Sequence, residues 1–575
     1  MARSSVTMTF TDGGLGIVTG PLGGTKTQLM LGISASGTPN TVIPVSSPGA
    51  ATRLLGGGPL WDAVYNRVGL SGQTMLAVPL PINSAGSCGA WTQQGTGAGV
   101  VSATLGPWQQ ILVSCVTGGA LGTAAFQFSV NGSAYGATVV SAVGAGPWTY
   151  RVPGTLTTLS FAAGSYVGSK IYTIATTGTI SYTAGALANV TQASSPMDAY
   201  ELQVTITTAG ALAAAQFTYS LDGGNTVSAP ITTAATVVLP NTGVVLGFTS
   251  AAYVAGDIYT ATCVNAAYQA SDVTAAIVAA LGQSTPFEGV DCIGMPASAS
   301  SAYSFASALD LELQAAAASN KVFLWGITNC PTVQADTTVA SAFSSFTSAT
   351  GRVSVCVGTE DLTSLATGLI LRRPISWSYG TRVASIRYAE SPGWVGRGAL
   401  AGVDAIQNAY GTTGLDGAAT ADTFDSARFV TLCQGNGYPP GTYVTHPNTM
   451  ALATSDYRWL QNLRVADYAA TIAQAALTLY LQADWRINPD NGQLDKRDAG
   501  TINAKITQLL EDALIGQPGT ATDNASSVTF ALDPDSDLLS SSTLLCTLVC
   551  VPKGYSDQID CNFGFSNPRL TAVSS

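Results

Sequence analysis

Residues able to move protons, hold metals or grip phosphate are scarce in this chain, and their spacing decides which chemistry stays open. The single histidine, His446, lies in Tyr443-Val444-Thr445-His446-Pro447-Asn448, so any triad or histidine base would hang on that one ring. A loop histidine followed by proline reads as structural. One histidine also excludes the H-E-x-x-H zinc motif. None of the six lysines (26, 170, 321, 496, 505 and 553) follows a glycine, which removes the G-K-[ST] phosphate loop and nucleotide hydrolysis of that kind. Gly95-Thr96-Gly97-Ala98-Gly99 fails the G-x-G-x-x-G pattern and has no strand-turn-helix context. Gly32-Ile33-Ser34-Ala35-Ser36-Gly37 has the wrong spacing for a nucleophile elbow. Glu360-Asp361, Glu511-Asp512 and Asp533/Asp535/Asp537 are candidates for glycosidase acids or a calcium loop. The last group lacks the glycine and terminal glutamate of an EF-hand, so all three read as solvated charge.

The ten cysteines (88, 115, 263, 292, 330, 356, 433, 546, 550 and 561) sit mostly in apolar runs such as Val353-Ser354-Val355-Cys356-Val357. They read as small core residues of a reducing compartment, without disulfides. Cys546 and Cys550 share one face of an apolar strand, but no second pair completes a metal site. No catalytic residue, cofactor or metal is expected, and the chain is not expected to be an enzyme.

An internal duplication organises the middle of the chain. Ile111–Leu121 aligns 91 residues later with Leu202–Leu212, and Phe126-Gln127-Phe128-Ser129-Val130-Asn131-Gly132 with Phe217-Thr218-Tyr219-Ser220-Leu221-Asp222-Gly223. Farther on the offset is 87, pairing Phe161, Tyr166 and Tyr172 with Phe248, Tyr253 and Tyr259. Period-two alternation with Asn-Gly and Asp-Gly turns predicts two tandem β-sandwich modules, at 100–180 and 190–268.

Beyond the duplication the pattern changes to strand (290–295), helix (301–318), strand (321–326), helix (339–349) and strand (352–357), which implies a parallel sheet with crossovers. Trp459, Leu463, Ala466, Ala470, Ala473, Leu477 and Leu481 form one helical stripe, with Arg458, Arg464 and Gln474 off it on a polar, partly basic face. A second helix spans 501–514 with Ile502, Ile506, Leu509 and Ala513 inward. Strands follow at 528–532, 544–551 and 559–565, and the turn Pro552-Lys553-Gly554-Tyr555 makes the last two a hairpin.

Composition narrows the function. The chain has 575 residues, 22 Lys and Arg against 33 Asp and Glu, and a formal charge of −11. A basic stripe for nucleic acid is absent. Only 10% of residues are charged, against about 25% in an average globular protein, so a subunit that hides surface in an assembly is expected. No secretory h-region or membrane span is read from the sequence.

From end to end the chain resembles a contractile tail sheath protein of myophage tails. The resemblance rests on Asp12-Gly13-Gly14-Leu15-Gly16, Leu29–Ser34, Val42-Ile43-Pro44-Val45 and the segment Leu54–Val64, which contains Gly56-Gly57-Gly58-Pro59-Leu60. It continues in Arg428, the 458–481 and 502–514 helices, and Val551–Gly554 with Ile559–Phe565. It covers residues 5–85 and 285–570; the loop Gly393-Trp394-Val395-Gly396-Arg397 matches no sheath signature. The fold so implied is a multidomain α+β protein: an arm at 1–20, an α/β core at 21–85 and 285–426, the two inserted β modules, and a C-terminal α+β domain at 427–575.

The resemblance implies a homo-oligomer of stacked hexameric rings around a tail tube, with baseplate and tail-terminator proteins as further partners. It implies assembly in the host cytoplasm and a place in the virion tail. It also implies arms that complete a sheet in a neighbouring subunit: Val6, Met8 and Phe10 alternate at one end, and Cys561, Phe563 and Phe565 at the other. Arg458, Arg464, Arg486, Lys496 and Arg497 are candidates to face the tube. Two other readings are a secreted or surface adhesin, which needs a signal peptide, and a tail-associated polysaccharide-degrading enzyme, which needs paired carboxylates in a cleft.

Overall fold

The computed structural model describes residues 27–556, apart from 408–423, 95–100, 106–110, 153–157, 175–179, 183–189, 331–335 and scattered stretches of one to three residues. The arm residues Val6, Met8, Phe10, Cys561, Phe563 and Phe565, the strand expected at 559–565 and the Asn131-Gly132 turn lie outside the described residues.

Short apolar runs bounded by glycine and proline build the central sheet. β1 (Gln28–Gly32) leads to α1 (Pro59–Ser71), which opens on a proline in its first turn and stops at left-handed Gly72. β2 (Met75–Pro79) then returns beside β1. After an inserted segment come α2 (Ala270–Leu281), β3 (Gly289–Cys292), α3 (Ala299–Ala315), β4 (Trp325–Cys330) and β5 (Val353–Val357). These five strands are parallel in the order β2-β1-β3-β4-β5, and Ile43–Val45 adds an antiparallel edge beyond β2.

Alternate side chains of a strand face opposite ways. Leu29, Leu31, Leu76, Val78, Val290 and Val353 therefore meet α2 and α3 on one side. Met30, Met75 and Ala77 meet α1 on the other, where Ile327 and Cys356 also meet α4 (Ser376–Ser385) and α5 (Leu460–Thr478). The strand expected at 321–326 begins four residues later, because α3 runs on into a π-helical turn, Ala316–Asn320, closed by left-handed Lys321. Among the described residues no helix is long and apolar enough to cross a membrane.

The boundary expected at 427 falls inside this core. Val357 N donates to Val430 O at 3.0 Å, Val430 N to Val355 O at 2.9 Å and Met450 N to Val353 O at 2.8 Å, so Val430 and Met450 both lie along the outer edge of β5. The C-terminal unit is smaller: α6 (Lys496–Leu514), β6 (Ser527–Leu532) and β7 (Cys546–Val551) pack on the second half of α5. α6 begins earlier than expected because Asp495 caps it, accepting from Arg497 N at 2.8 Å. Its buried stripe is Ala499, Ile502, Ile506, Leu510 and Leu514, and Leu509 is exposed, correcting the inward face read from the sequence.

The segment between β2 and α2 folds as two units, each made of two facing sheets. In one, Ile111–Thr117 lies between Ala125–Val130 and Lys170–Ile174, opposite Trp148–Arg151, Thr158–Phe161 and Val190–Ala193. In the other, Tyr200–Thr208 lies between Gln216–Ser220 and Ile258–Val264, opposite Thr236–Val238, Val244–Phe248 and Val101–Leu105. The expected boundaries therefore cut across the sheets. The unit made of 111–193 sits inside the unit made of 87–105 and 197–264. Ser87–Cys88 and Thr92–Gln94 both pair with Ile258–Val264, so the entering chain is already fixed against the second unit when it reaches Val101.

A disulfide joins Cys88 to Cys263 at this base, contrary to the all-reduced expectation. It links the chain entering the insertion to the chain leaving it. Disulfides stabilise mainly by restricting the unfolded chain. Cys88→Ser with Cys263→Ser should lower the stability of the 197–264 unit by about 2–4 kcal/mol. Hydrogen exchange of Tyr200–Thr208 and Ile258–Val264 checks this, and exchange in β1 and β3 should not change.

Candidate functional site: a buried ionic hub and an open strand edge

Apolar segments interrupted by charges turn out to be where the layers are tied together. Asp62, within Leu60-Trp61-Asp62-Ala63-Val64 of α1, Arg373 at the end of the strand Ile370–Pro374, and Asp198 at the start of the second unit form a buried triad. Arg373 Nη2 donates to Asp62 Oδ2 at 2.7 Å, and its Nη1 and Nη2 donate to the two Asp198 oxygens at 2.7 Å each. The guanidinium also lies 4.5 Å from the centre of the Trp377 ring. Burial pushes the Asp62 carboxyl above its ordinary range, with Arg373 acting against it. Burial works against the charge of Arg373 too, but Asp198 and Asp62 outweigh it and hold its pKa above the ordinary value. Two further contacts come from the same strand: Ile370 N donates to Asp222 Oδ2 at 3.3 Å, and Arg372 pairs with Glu201 at 2.9 Å. The second inserted unit is thus fastened to the core along one strand.

Other buried pairs join the core layers. Arg67 of α1 pairs with Asp291 of β3 and donates to Gln28 Oε1 of β1 at 2.7 Å. A side chain at Gly380 of α4 would lie 2.3 Å from Arg67 Nη2, so only glycine lets the helix approach this pair. Arg352 grips Asp467 of α5 at 2.8–2.9 Å. Arg464, expected on a surface facing the tube, is instead buried: it pairs with Glu288 at 3.3 Å and lies over Tyr388. The cause is that α5 is covered on both sides, by the core sheet and by α6.

In sheets of the order found here, ligands bind outside the carboxyl ends of the strands at the switch point between β1 and β3. That place is filled by protein. Ile33 and Ala35, which follow β1, pack with Met197 and Ala266 of the insertion and with Tyr268. A side chain at Gly57 would lie 1.7 Å from the Met197 methyl, so the glycine segment before α1 makes room for the insertion. The remaining chemical candidates stay scattered. His446 Nδ1 lies 2.9 Å from Asp425 Oδ1, beside the Trp459 ring. Asp512 accepts from Gln508, and Asp535 from Gln493. Among the described residues no group of three or more His, Cys, Asp or Glu is placed to hold a metal.

The C-terminal unit offers a different kind of site. β6 and β7 form a two-stranded antiparallel sheet, with Val528, Phe530, Leu532, Leu548 and Cys550 buried against α5 and α6. Asp533 N donates to Leu545 O, which sets the alternation: the backbone groups of 528, 530 and 532 point out along β6 and those of 546, 548 and 550 along β7. α6 caps the β6 edge, since Asn503 Oδ1 accepts from Leu532 N at 2.8 Å and Thr507 Oγ1 donates to Phe530 O at 3.5 Å. The β7 edge pairs with no strand among the described residues. Its outward face is apolar, with Leu545, Val549 and Val551 exposed.

The hairpin turn expected at 552–555 is not formed. That segment is neither strand nor turn; Lys553 pairs with Asp523, and Tyr555 Oη donates to Ala389 O at 2.6 Å. These tertiary contacts override the local turn chemistry of Pro-Lys-Gly.

A family model described as DUF2586, N-terminal domain, matches residues 3–448. The chain belongs to the DUF2586 family. The family match takes in the core and both inserted units and stops before α5, so the β6–β7 edge lies beyond it. No curated protein matches the chain. Among solved structures, this DUF2586 member is similar to a sheath tail protein of Listeria innocua, at 12% identity and a TM-score of 0.40, over 92% of this chain and 96% of the other. It is also similar to a sheath tail protein of Desulfitobacterium hafniense, at 12% identity and a TM-score of 0.41, over 96% of this chain and 100% of the other.

The basic residues proposed from the sequence do not make one patch in this family member. Exposed Arg486, paired with half-buried Asp498, gathers with Lys496 and Arg497 at the start of α6. Arg458 lies over Trp459 before the first residue of α5, a helix about 28 Å long that separates it in the chain from the other three. The triad Asp62, Arg373 and Asp198 was missed by motif reasoning. Its signal was present nonetheless: charges set among apolar residues in a chain poor in charge must find partners when buried.

Proposed function

We propose that this chain is the structural subunit of a contractile tail sheath. Copies would form hexameric rings stacked around a tail tube, and contraction would drive the tube through the host envelope. The work is mechanical, so the subunit needs no catalytic residue or cofactor. Its partners would be other copies, the tube, and baseplate and terminator proteins, in the virion tail after assembly in the host cytoplasm.

The observation that carries this reading is the β6–β7 sheet, with one edge capped by its own helix and the other pairing with no strand among the described residues. An exposed strand edge is a template for another chain, and strand addition joins subunits through main-chain hydrogen bonds while allowing each body to stay rigid. The alternating segments Val6/Met8/Phe10 and Cys561/Phe563/Phe565 are the proposed occupants. The low share of charged residues and the sequence resemblance support the same reading.

Negative-stain microscopy of the purified chain tests it: rings or hollow cylinders are expected, and persistent monomers or trimers at high concentration would overturn it. Removing residues 1–11 should leave the circular dichroism spectrum and unfolding temperature unchanged while abolishing cylinders. Normal cylinders from that variant would rule out the arm.

A further inference from the structure

An open edge raises a problem of self-pairing. The segment that follows β7 is joined to it by only a few residues, and a hairpin needs no more than two to five. A short linker places two ends at an effective concentration in the millimolar range, far above that of a second copy in a dilute assembly pool. Pro552-Lys553-Gly554-Tyr555 is turn-forming chemistry in the place where a hairpin would need it. Left to local preference, the chain would fold back on β7 and close its own edge.

Three contacts prevent that turn. Ser526 Oγ donates to Pro552 O at 3.0 Å, which holds the start of the exit segment against the beginning of β6. Lys553 pairs with Asp523, whose carboxylate also accepts from Arg387 Nη1 at 3.1 Å and Gly519 N at 2.7 Å. Tyr555 Oη reaches Ala389 O, and Ala389 N is in turn within 3.4 Å of Asn524 Oδ1. From Pro552 to Tyr555 the exit path thus crosses the start of β6 toward the 387–390 loop, away from the outer edge of β7.

We infer that Lys553, Tyr555 and Asp523 form an exit clamp that stops the C-terminal segment from pairing with its own β7 and so reserves that edge for a second copy of this chain. The inference rests on the strand-exchange reading above. Lys553 and Tyr555 act as positioning residues; neither needs to touch the incoming strand.

The test compares the full chain with Lys553→Ala/Tyr555→Phe, and with the same variant lacking 557–575, each as monomer at low concentration. Amides of Cys546, Leu548 and Cys550 pair with no strand among the described residues, and in the parent they should exchange rapidly. In the clamp variant their exchange should slow at least tenfold, and removal of 557–575 should restore the fast rate. Assembly of the clamp variant, followed by sedimentation, should slow at least tenfold, while its unfolding temperature stays within a few degrees of the parent. Equally fast exchange in parent and clamp variant, or slowed exchange that survives loss of 557–575, would overturn the clamp. These monomer measurements remain decisive even if the parent forms no rings, an outcome that would sink the sheath reading alone.

Discussion

Arg373→Ala should destabilise the chain by about 3–5 kcal/mol, the cost typical of removing one partner from a buried charge cluster. The truncation leaves two carboxylates, Asp62 and Asp198, facing each other without their shared cation. Asp62 would keep only Asn66 Nδ2 at 3.0 Å and Ser364 Oγ at 2.6 Å. Because Arg373 is shared between α1 and the second inserted unit, the loss should show first as detachment of that unit: faster proteolysis between 194 and 200 and faster exchange in Tyr200–Thr208. The sign of the pH effect follows from Asp62, whose pKa is already raised in the folded chain by burial. A group with a raised folded pKa stabilises most when it is protonated and loses that contribution as pH rises. Without Arg373 the Asp62 carboxyl should favour protonation more strongly, so the deficit of the variant should shrink as the pH falls from 7 towards 4. Adding Asp62→Asn to Arg373→Ala should recover part of the loss at pH 7. A variant as stable as the parent by urea unfolding at pH 7 would show that the triad does not fasten the insertion.

What the sequence made legible follows from how local each signal is. The runs around Val290 and Val353 are apolar on both faces, and they are strands buried between two helical layers. The stripe from Leu463 to Leu477 marks α5, but the same pattern hid Arg464, because an arginine off the main stripe reads as exposed until a second layer is known to cover it. The duplication was visible, whereas the nesting of the units was not: Val101–Leu105 and Val190–Ala193 are similar short strands, and only the fixed entry at Cys88 decides which sheet each joins. Cys88 and Cys263 lie 175 residues apart, a separation that carries no pairing signal. The Pro-Lys-Gly segment shows the reverse case, a strong local preference defeated by Asp523 and Ala389. Contacts of long sequence separation thus account for the misreadings, and they are also what holds the insertion and the exit segment in place.

The pH response of the core should be dominated by Glu360, another residue whose solvated reading fails. It lies fully buried on the strand Thr359–Thr363, accepting from Ser378 N at 3.0 Å and Ser378 Oγ at 2.5 Å in the first turn of α4. A helix N-terminus favours an anion, and these hydrogen bonds do as well. Burial outweighs both and pushes the carboxyl up to about 8. Between about pH 4.5 and 8 the folded chain therefore holds a proton that the unfolded chain has released, so stability must fall as the pH rises through this window. At about 1.4 kcal/mol per pKa unit the change is on the order of 3–5 kcal/mol. Glu360→Gln removes the titration with little change in volume, since the amide can accept from Ser378 N and donate to Ser378 Oγ. The variant should match the parent or fall slightly below it at pH 5 and exceed it by several kcal/mol at pH 9 in urea unfolding. Parallel pH curves for the two proteins would sink the argument. Glu360 joins α4, which packs on the core sheet, to the strand beside Ile370–Pro374, where the second inserted unit is fastened. Ionising Glu360 should therefore loosen the attachment of the insertion before the core unfolds, and exchange in Ile370–Pro374 should rise at a lower pH than exchange in β3 and β4.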